Sequence, residues 1–379
     1  MISEDIIFVL KEAFPNGAPL HVPKFVGREW ACVKECIDST WVSSAGKYVD
    51  HFEKQLSDFT GIKNVVAVVN GTAALHMALK ILEIGPHDEV LVPNFTFVAS
   101  ANAIRYCQAT PHFVDIDRRT LGVDPQKLQC WLTDIAHITA GKCFNRDTGK
   151  QIKALIVVHL NGFPADLDAI GEVCQQFNIE IIEDAAGAVG SFYKGRHVGS
   201  KGKMSIVSFN GNKIITTGGG GAILTENDAL AKRVRHLTTT ARIPGRAYYH
   251  DEVGYNYRMP NINAALGSAQ LECLPKFLAE KRALAEYYQH AFEKVKSVNF
   301  VKEPDLTKSN FWLNAISLDP EWVFQKDEIV SSIQQKGWSV EKPWTPLDQL
   351  PMFRSCPKMD VSTSVSVQAS LILLPSRPM

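Results

Sequence analysis

Residues 65–75 read VVAVVNGTAAL, a β-branched run that leads through Asn70 and Gly71 into small and apolar residues. The pattern predicts a buried strand over 65–69, a tight turn, and a helix that begins at Thr72. Backbone N–H groups at a helix start are unpaired, so this turn suits a phosphate group, with the threonine hydroxyl beside it. The alternative is an ordinary strand–turn–helix unit in which Thr72 only caps the helix.

The same alternation of strand and helix continues from about residue 60 to residue 225. The predicted strands are 65–69, 89–92, 111–117, 154–159, 180–183, 204–209 and 222–225. The predicted helices are 72–82, 98–107, 166–177 and 228–237. This order predicts an α/β fold with a mainly parallel sheet covered on both faces. Ligands of such sheets bind beyond the carboxyl ends of the strands.

The C-terminal third of the chain has a different pattern. Residues 242–259 are rich in Gly, Tyr and Arg and lack periodicity, which predicts a long functional loop. A helix is predicted over 263–291, followed by mixed short elements. We therefore expect a large domain with an N-terminal arm over residues 1–250 and a small α+β domain over residues 251–379.

The composition excludes several classes of protein. Hydrophobic residues make up 45% and charged residues 21% of the chain, which is the balance of a globular protein and not of a disordered one. Forty Lys and Arg match forty Asp and Glu, so there is no basic field for nucleic acid. No apolar run could span a bilayer, and Glu4 and Asp5 stand where an export signal would be basic. We expect a cytoplasmic protein that binds neither nucleic acid nor a membrane.

Metal and disulfide sites are not indicated. The eight cysteines are scattered and form no CxxC pair, and no HExxH motif or carboxylate cluster is present. The turn at residues 70–72 also lacks the GxGxxG and GxxxxGK[ST] patterns of nucleotide-binding loops. The sequence therefore predicts no metal.

Two further strand ends carry residues that could do chemistry. Residues 179–187 read IEIIEDAAG and place Asp184 after an apolar strand, either as a helix cap or as a buried carboxylate held ionised by a cationic partner. Residues 205–222 read SIVSFNGNKIITTGGGGA and place Lys213 in a turn. A turn lysine is commonly solvated. The nearby Ser208 hydroxyl and the four glycines favour instead an apolar site, where lysine has a depressed pKa and forms Schiff bases.

A phosphate cradle, a carboxylate and a Schiff-base lysine, each after a strand, are what pyridoxal 5′-phosphate requires. The phosphate anchors the ring, the carboxylate keeps the pyridine nitrogen protonated, and the lysine binds the carbonyl carbon and moves the proton. The three stretches together therefore predict this cofactor.

The chain also resembles the DegT/DnrJ/StrS family of sugar aminotransferases over most of its length. The matching stretches are 41–44 (WVSS), 70–75 (NGTAAL), 93–100 (PNFTFVAS), 114–117 (VDID), 159–166 (HLNGFPAD), 183–186 (EDAA), 208–221 (SFNGNKIITTGGGG) and 254–260 (GYNYRMP). The resemblance implies the fold-type-I architecture of aspartate aminotransferase, with a large sheet domain and a small C-terminal domain.

The resemblance implies roles for particular residues. Lys213 resembles the Schiff-base lysine, and Asp184 resembles the partner of the pyridine nitrogen. The other cofactor-binding residues that it implies are Gly71, Thr72, Ala73, Phe97, Ser208, Asn210 and Asn256. Phe97 would cover a face of the ring, and Asn256 would reach the phosphate of a neighbouring subunit, so a homodimer with shared active sites is expected. The substrate contacts that it implies are Trp41, Ser43 and His159, with a purely structural histidine as the alternative for His159, and Arg242 and Arg258 of the long loop are further candidates.

The chain departs from the family pattern in three places. Gly187 stands where relatives commonly have a Gln or Glu, and Gln bonds the ring oxygen O3′ of the cofactor. That oxygen must then be met by water, by Asn210 or by another group. Many relatives have His at the position of Asn210. A further short helix is also expected after the Leu374 segment, where this sequence ends.

The expected reaction is the transfer of an amino group, with L-glutamate as donor, to a nucleotide-linked 4-keto-6-deoxyhexose. The 41–48 and 210–221 stretches resemble the branch that serves legionaminic acid and related surface sugars, which makes UDP the expected carrier. Arg242 and Arg258 could hold its diphosphate. Two alternatives stay open. One is a sugar dehydratase, in which we expect histidine in place of Lys213. The other is a catalytically silent homologue that binds a sugar nucleotide.

Overall fold

The computed structural model describes residues 2–378, so Met1 and Met379, the ends of the two predicted domains, lie outside the described residues. The helices are α1 (Ile2–Ala13), α2 (Glu29–Asp38), α3 (Lys47–Thr60), α4 (Gly71–Ile81), α5 (Ala99–Tyr106), α6 (Pro125–Ile135), α7 (Leu167–Gln176), α8 (Asp228–Thr238), α9 (Asn261–Phe292), α10 (Lys326–Gln335) and α11 (Ser362–Ser370). Short 3₁₀ turns lie at Leu160–Gly162, Pro320–Gln325, Leu347–Gln349 and Pro351–Phe353.

The strands follow the predicted runs closely and add several short ones. They are β1 (Asn64–Val68), β2 (Asp88–Pro93), β3 (Thr110–Val114), β4 (Ala136–Thr139), β5 (Lys142–Asn145), β6 (Gln151–Val158), β7 (Glu180–Asp184), β8 (Phe192–Tyr193), β9 (Arg196–His197), β10 (Met204–Ser208), β11 (Gly221–Thr225), β12 (Val298–Phe300), β13 (Thr307–Lys308), β14 (Asn314–Leu318) and β15 (Leu371–Leu374). The β4–β5 hairpin was not predicted.

A nine-stranded sheet forms the centre of the molecule, and its main path runs β1-β11-β10-β7-β6-β2-β3. The five strands from β10 to β3 pair in parallel, which confirms the predicted α/β fold with a mainly parallel sheet. β11 runs antiparallel to both of its neighbours. No helix separates β10 from β11, whereas the crossover between parallel strands usually contains one.

Both faces of the sheet are buried. Along β6, Ile156 packs in one hydrophobic cluster, while Leu155 and Val157 pack in a second cluster on the other face. This alternation follows from the two-residue period of a strand. The burial of both faces accounts for the continuous apolar runs from which the strands were predicted.

The C-terminal part of the chain builds a second, three-stranded sheet in the order β12-β14-β15, with antiparallel pairing. Helix α1 packs against α10 and α9, so the N-terminus of the chain joins these C-terminal elements. The predicted long loop lies between α8 and α9, and α9 confirms the predicted helix over 263–291. The domain boundary at residue 250 stays a prediction.

Within residues 2–378, none of the helices combines the length and the apolar character that crossing a bilayer requires.

Candidate active site

A cavity of about 360 Å³ opens at the carboxyl edge of the central sheet. It brings together eight of the predicted residues, namely Gly71, Thr72, Phe97, His159, Asp184, Ser208, Asn210 and Lys213. The sheet register explains this meeting. Val68 of β1 and Ser208 of β10 both pair with Gly221, and Asp184 of β7 pairs with Ile206, so these strands end together.

The helix start after β1 differs in one respect from the expectation. Asn70, and not Thr72, caps α4, because the Asn70 side-chain oxygen accepts a hydrogen bond from the backbone N–H of Ala73 at 2.7 Å. Thr72 is therefore free of a capping role and lines the cavity. A Cβ added at Gly71 would lie 3.0 Å from the Cβ of Ser208, so this turn packs tightly against the end of β10.

Asp184 is buried and has fixed partners. Its Oδ2 accepts a hydrogen bond from the Ser100 hydroxyl at 2.8 Å, and its Oδ1 accepts one from the Ala186 N–H at 3.1 Å. A turn and no helix follows β7, so the helix-cap alternative is wrong. Burial raises the pKa of Asp184, although the two hydrogen bonds and the charge of Lys213 oppose the rise. The carboxylate thus lies where a further positive charge would stabilise its ionised form.

Lys213 lies in a loop that is closed at its base by backbone hydrogen bonds. The N–H of Phe209 donates to the Gly220 carbonyl at 2.8 Å, and the N–H of Thr217 donates back to the Phe209 carbonyl at 3.0 Å. The N–H of Lys213 itself donates to the Asn210 carbonyl at 2.9 Å. These bonds hold the lysine backbone at the edge of the sheet and direct its side chain to the cavity.

The amine of Lys213 is enclosed, although the residue as a whole is only partly buried. Its Nζ lies 3.5 Å from the centroid of the Trp312 ring. Burial lowers the pKa of Lys213 to about 7, and the negative charge of Asp184 works in the opposite direction. The alternative of a solvated turn lysine is therefore wrong.

Trp312 belongs to the site but was not predicted from the sequence. Its indole Nε1 donates a hydrogen bond to the Asn212 carbonyl at 2.7 Å. A Cβ added at Gly187 would lie only 2.3 Å from Cε3 of the indole ring. The tryptophan ring therefore occupies the space into which a side chain at position 187 would extend.

His159 lines the cavity with both ring nitrogens engaged. Nδ1 accepts a hydrogen bond from the Ala165 N–H at 3.2 Å, so Nε2 carries the proton and donates to Glu183 at 3.0 Å. Glu183 is fully buried and also accepts hydrogen bonds from the backbone N–H groups of Gly199, Lys201 and Gly202. The histidine can present its ring, but not a free nitrogen, to whatever occupies the cavity.

Phe97 is 56% exposed and lines the same cavity. Asn210 is exposed too, and its side-chain amide donates to the Asn212 side chain at 3.2 Å. The prediction missed several polar or aromatic residues that also line the cavity, among them Asn161, Trp312 and Trp344. The two tryptophans come from distant C-terminal segments. Asn161 lies in the HLNG stretch, and a polar residue soon after a predicted strand was the available signal.

Several predicted residues lie elsewhere in the same chain. Arg242, Asn256 and Arg258 line a different cavity of about 420 Å³. Trp41 lines a third cavity of about 510 Å³, and Ser43 is exposed, with its carbonyl accepting the N–H of Asn261 at 2.6 Å. One chain alone does not bring Asn256 or the two arginines into the Lys213 cavity.

The residues of the Lys213 cavity fit pyridoxal phosphate. The start of α4, with Thr72 and Ser208 beside it, suits a phosphate. Asp184 has a raised pKa and gains stabilisation from a protonated ring nitrogen, while Lys213 has the depressed pKa of a nucleophilic amine.

The model of the DegT/DnrJ/EryC1/StrS aminotransferase family matches residues 24–379. The chain belongs to this family. It is 39% identical over 334 residues to the GDP-perosamine synthase of Caulobacter vibrioides, covering 87% of this chain and 85% of that protein.

Solved structures of aminotransferases have the same overall fold as this chain. The aminotransferase TlmJ from Streptoalloteichus hindustanus is 26% identical with a TM-score of 0.85, covering 95% of this chain and 93% of that one. Spr1654 from Streptococcus pneumoniae, solved in its PLP form, is 25% identical with a TM-score of 0.84 and the same coverage. The predicted family, fold, aminotransferase activity and pyridoxal phosphate cofactor are confirmed.

Proposed function

We propose that this aminotransferase moves the amino group of L-glutamate to a nucleotide-linked 4-keto-6-deoxyhexose and forms a 4-amino sugar for surface-polysaccharide or nonulosonic-acid synthesis. The observation that supports the catalytic assignment is the meeting of Lys213 and Asp184 in one cavity, the lysine with a lowered pKa and the aspartate with a raised one. When bound there, the cofactor supplies an electron sink that makes the Cα proton of the amino acid acidic.

Lys213 is the proposed catalytic base and acid. A pKa of about 7 leaves a large fraction of its amines neutral near neutral pH, and a neutral amine can both bond the cofactor covalently and take a proton from the donor Cα. The same amine then returns the proton. The closed loop around Lys213 keeps that amine over the cavity through both half-reactions.

Asp184 holds the proton of the ring nitrogen. Its hydrogen bonds from Ser100 and Ala186 occupy one site on each carboxylate oxygen and orient the group, while lone pairs remain for the ring nitrogen. Thr72, Ser208 and the first N–H groups of α4 would bind the phosphate, and Phe97 would cover a face of the ring.

A homodimer with shared sites is part of the proposal. Asn256, Arg242 and Arg258 line a cavity separate from that of Lys213, so their proposed roles need a second copy of the chain. Exposed aromatic residues support such an interface, because Trp41 is 58% and Tyr248 is 88% exposed. A cytoplasmic location stays a prediction of the sequence.

The proposal also specifies the nucleotide that carries the sugar. The sequence stretches around Trp41 and Lys213 favour UDP, whereas the name of the Caulobacter relative favours GDP. Arg242 and Arg258 suit the diphosphate that both carriers have in common. We keep UDP as the proposal and treat GDP as the competing outcome of the experiment.

The test incubates the protein with L-glutamate and matched UDP- and GDP-linked 4-keto-6-deoxyhexoses, with product masses read by mass spectrometry. An amino sugar from the UDP substrate supports the full proposal, and one from the GDP substrate only replaces the carrier. A product that lacks an oxygen but has gained no nitrogen indicates the dehydratase.

Lys213→Ala is the matched control. It should lose both product formation and the absorbance band of the lysine-bound cofactor. A band retained in this variant would move the covalent link to another lysine, and a wild-type protein without any band would favour the silent homologue.

A further inference from the structure

Asn161 is a cavity residue with an unusual backbone. It lies in the 3₁₀ turn after β6 with φ 55° and ψ 13°, in the left-handed region that non-glycine residues rarely adopt. It is also 1% exposed. The turn adjoins Asp184, because the N–H of His159 donates to the Asp184 carbonyl at 3.0 Å.

The side-chain amide of Asn161 is buried without a partner. Neither Nδ2 nor Oδ1 has a hydrogen-bond partner among residues 2–378, and the residue lines the Lys213 cavity. A buried amide without hydrogen bonds is costly, and natural structures contain few of them. A polar group bound in the cavity would remove that cost.

The turn that carries Asn161 is firmly held. The carbonyl of Asn161 accepts the N–H of Leu313 at 3.3 Å, and the carbonyl of Gly162 accepts the hydroxyls of Ser191 at 2.7 Å and Ser309 at 3.0 Å. Gly162 has φ 93°, and a Cβ added there would lie 2.0 Å from Oδ1 of Asn310. The backbone of the turn therefore has little freedom to turn the amide elsewhere.

Other groups that could contact a ring oxygen from this side are engaged or missing. Gly187 has no side chain, and the indole N–H of Trp312 that fills its space is bonded to the Asn212 carbonyl. The Asn210 amide, the candidate named from the sequence, is bonded to Asn212. His159 has both ring nitrogens in use.

We propose that Nδ2 of Asn161 donates a hydrogen bond to the phenolic oxygen O3′ of bound pyridoxal phosphate, in the role that Gly187 cannot fill. The inference rests on the proposed placement of the cofactor between Lys213 and Asp184. Asn161 then acts by stabilising the ionised form of this oxygen. That oxygen competes with the nitrogen of the lysine link for one proton, so the amide also sets how readily the proton is released.

The test measures the pH midpoint of the absorbance band of the lysine-bound cofactor, together with the dissociation constant of pyridoxal phosphate. Asn161→Gly removes the amide and accepts the left-handed backbone, and Asn161→Asp keeps the shape but loses the donor. Both variants should raise the midpoint, by about 1 pH unit or more for the loss of one charged hydrogen bond, and Asn161→Gly should weaken cofactor binding about tenfold. Asn178→Gly is the matched control, because it makes the same substitution at another asparagine with a left-handed backbone, φ 54°, which is exposed and lies outside the cavity, and it should leave the midpoint unchanged.

A cofactor analogue that lacks the oxygen, 3-deoxypyridoxal phosphate, keeps the inference testable if a variant folds poorly. Wild-type protein should bind this analogue about tenfold more weakly than pyridoxal phosphate, and Asn161→Gly should bind the two with similar affinity. Equal midpoints in wild type and both Asn161 variants, or equal wild-type affinity for the two cofactors, would overturn the inference while leaving the proposed function intact. Retention of the band in Lys213→Ala would instead overturn the placement on which both rest.

Discussion

Gly187 and Trp312 fit together so closely that a Cβ at position 187 would lie 2.3 Å from Cε3 of the indole ring. The same ring covers the amine of Lys213, with Nζ 3.5 Å from its centroid. The absent side chain at position 187 and the large one at position 312 thus form a single arrangement beside Lys213, the proposed catalytic lysine. A substitution at either residue should therefore alter the surroundings of the Lys213 amine.

Gly187→Ala should destabilise the protein by about 1–3 kcal/mol, because the new methyl group forces the indole ring out of its place. The effect should shrink below about 0.5 kcal/mol when Trp312→Leu is already present, as a double-mutant cycle of urea unfolding would measure. Gly171→Ala is the control, since no atom of the described part of the chain lies within 4 Å of a Cβ there and the residue is helical. Equal costs of Gly187→Ala in both backgrounds would show that the two residues are not coupled.

Lys281 should make the stability of the protein depend on pH. Its side chain is fully buried, and Nζ donates to the backbone carbonyls of Trp312 and Ser376. Burial lowers its pKa to about 7 in the folded protein, against 10.5 when exposed. Between these values the unfolded chain binds more protons, so the contribution of Lys281 to stability rises with pH, by at most about 1.4 kcal/mol per pH unit.

Lys281→Met removes this titration. The free energy of unfolding of wild-type protein minus that of the variant should therefore increase between pH 7 and pH 9, as measured by urea denaturation. Taking the difference cancels the cysteines and tyrosines that titrate in both proteins. A difference that stays constant over this range would mean that Lys281 is charged in the folded protein.

Asp184→Asn should stabilise the cofactor-free protein and impair the enzyme. Burial raises the pKa of Asp184 in the folded protein. Its contribution to the free energy of unfolding is therefore present at acidic pH and is lost as the pH rises and the carboxyl ionises. A neutral amide avoids that loss, and the melting temperature of the cofactor-free variant should exceed that of wild type near neutral pH. Turnover should fall about 100-fold or more, because an amide does not hold the ring proton.

Asp115→Asn is the control with the opposite sign. Burial alone would raise the pKa of Asp115, but hydrogen bonds from Lys127 and Ser364 lower it, so its ionised form stabilises the fold. This variant should melt at a lower temperature than wild type. If Asp184→Asn also has a lower melting temperature than wild type, burial of the ionised Asp184 carboxylate does not destabilise the fold as we infer.

Subunit mixing tests the shared site. Lys213→Ala and Asn256→Ala should each be nearly inactive alone, because each proposed site takes Lys213 from one copy and Asn256 from the other. Unfolding and refolding an equal mixture should restore about a quarter of wild-type activity, since half of the dimers then carry one intact site. A mixture no more active than its parents would place both residues in the same subunit's site.

The sequence determined the fold class and the residues that we propose for catalysis. Continuous β-branched runs alternating with amphipathic stretches predicted the parallel sheet, because strands buried on both faces lack polar positions. Asp184 at the end of one such strand and Lys213 in the turn after another were expected to meet, since parallel strands end at one edge. The alternative in which Thr72 caps α4 was wrong, because the cap is Asn70, another residue of a type that favours caps, two positions earlier.

The tertiary structure alone decided which distant groups complete the cavity. Trp312 reaches Lys213 from a segment about a hundred residues later, and no periodicity in the chain carries that information. The engagement of both His159 nitrogens, and the lack of a partner for the Asn161 amide in the part of the chain that the structure describes, likewise depend on neighbours that folding supplies. Local sequence determines strands, turns and strand ends because these follow from backbone periodicity, whereas packing between remote segments depends on the whole three-dimensional arrangement.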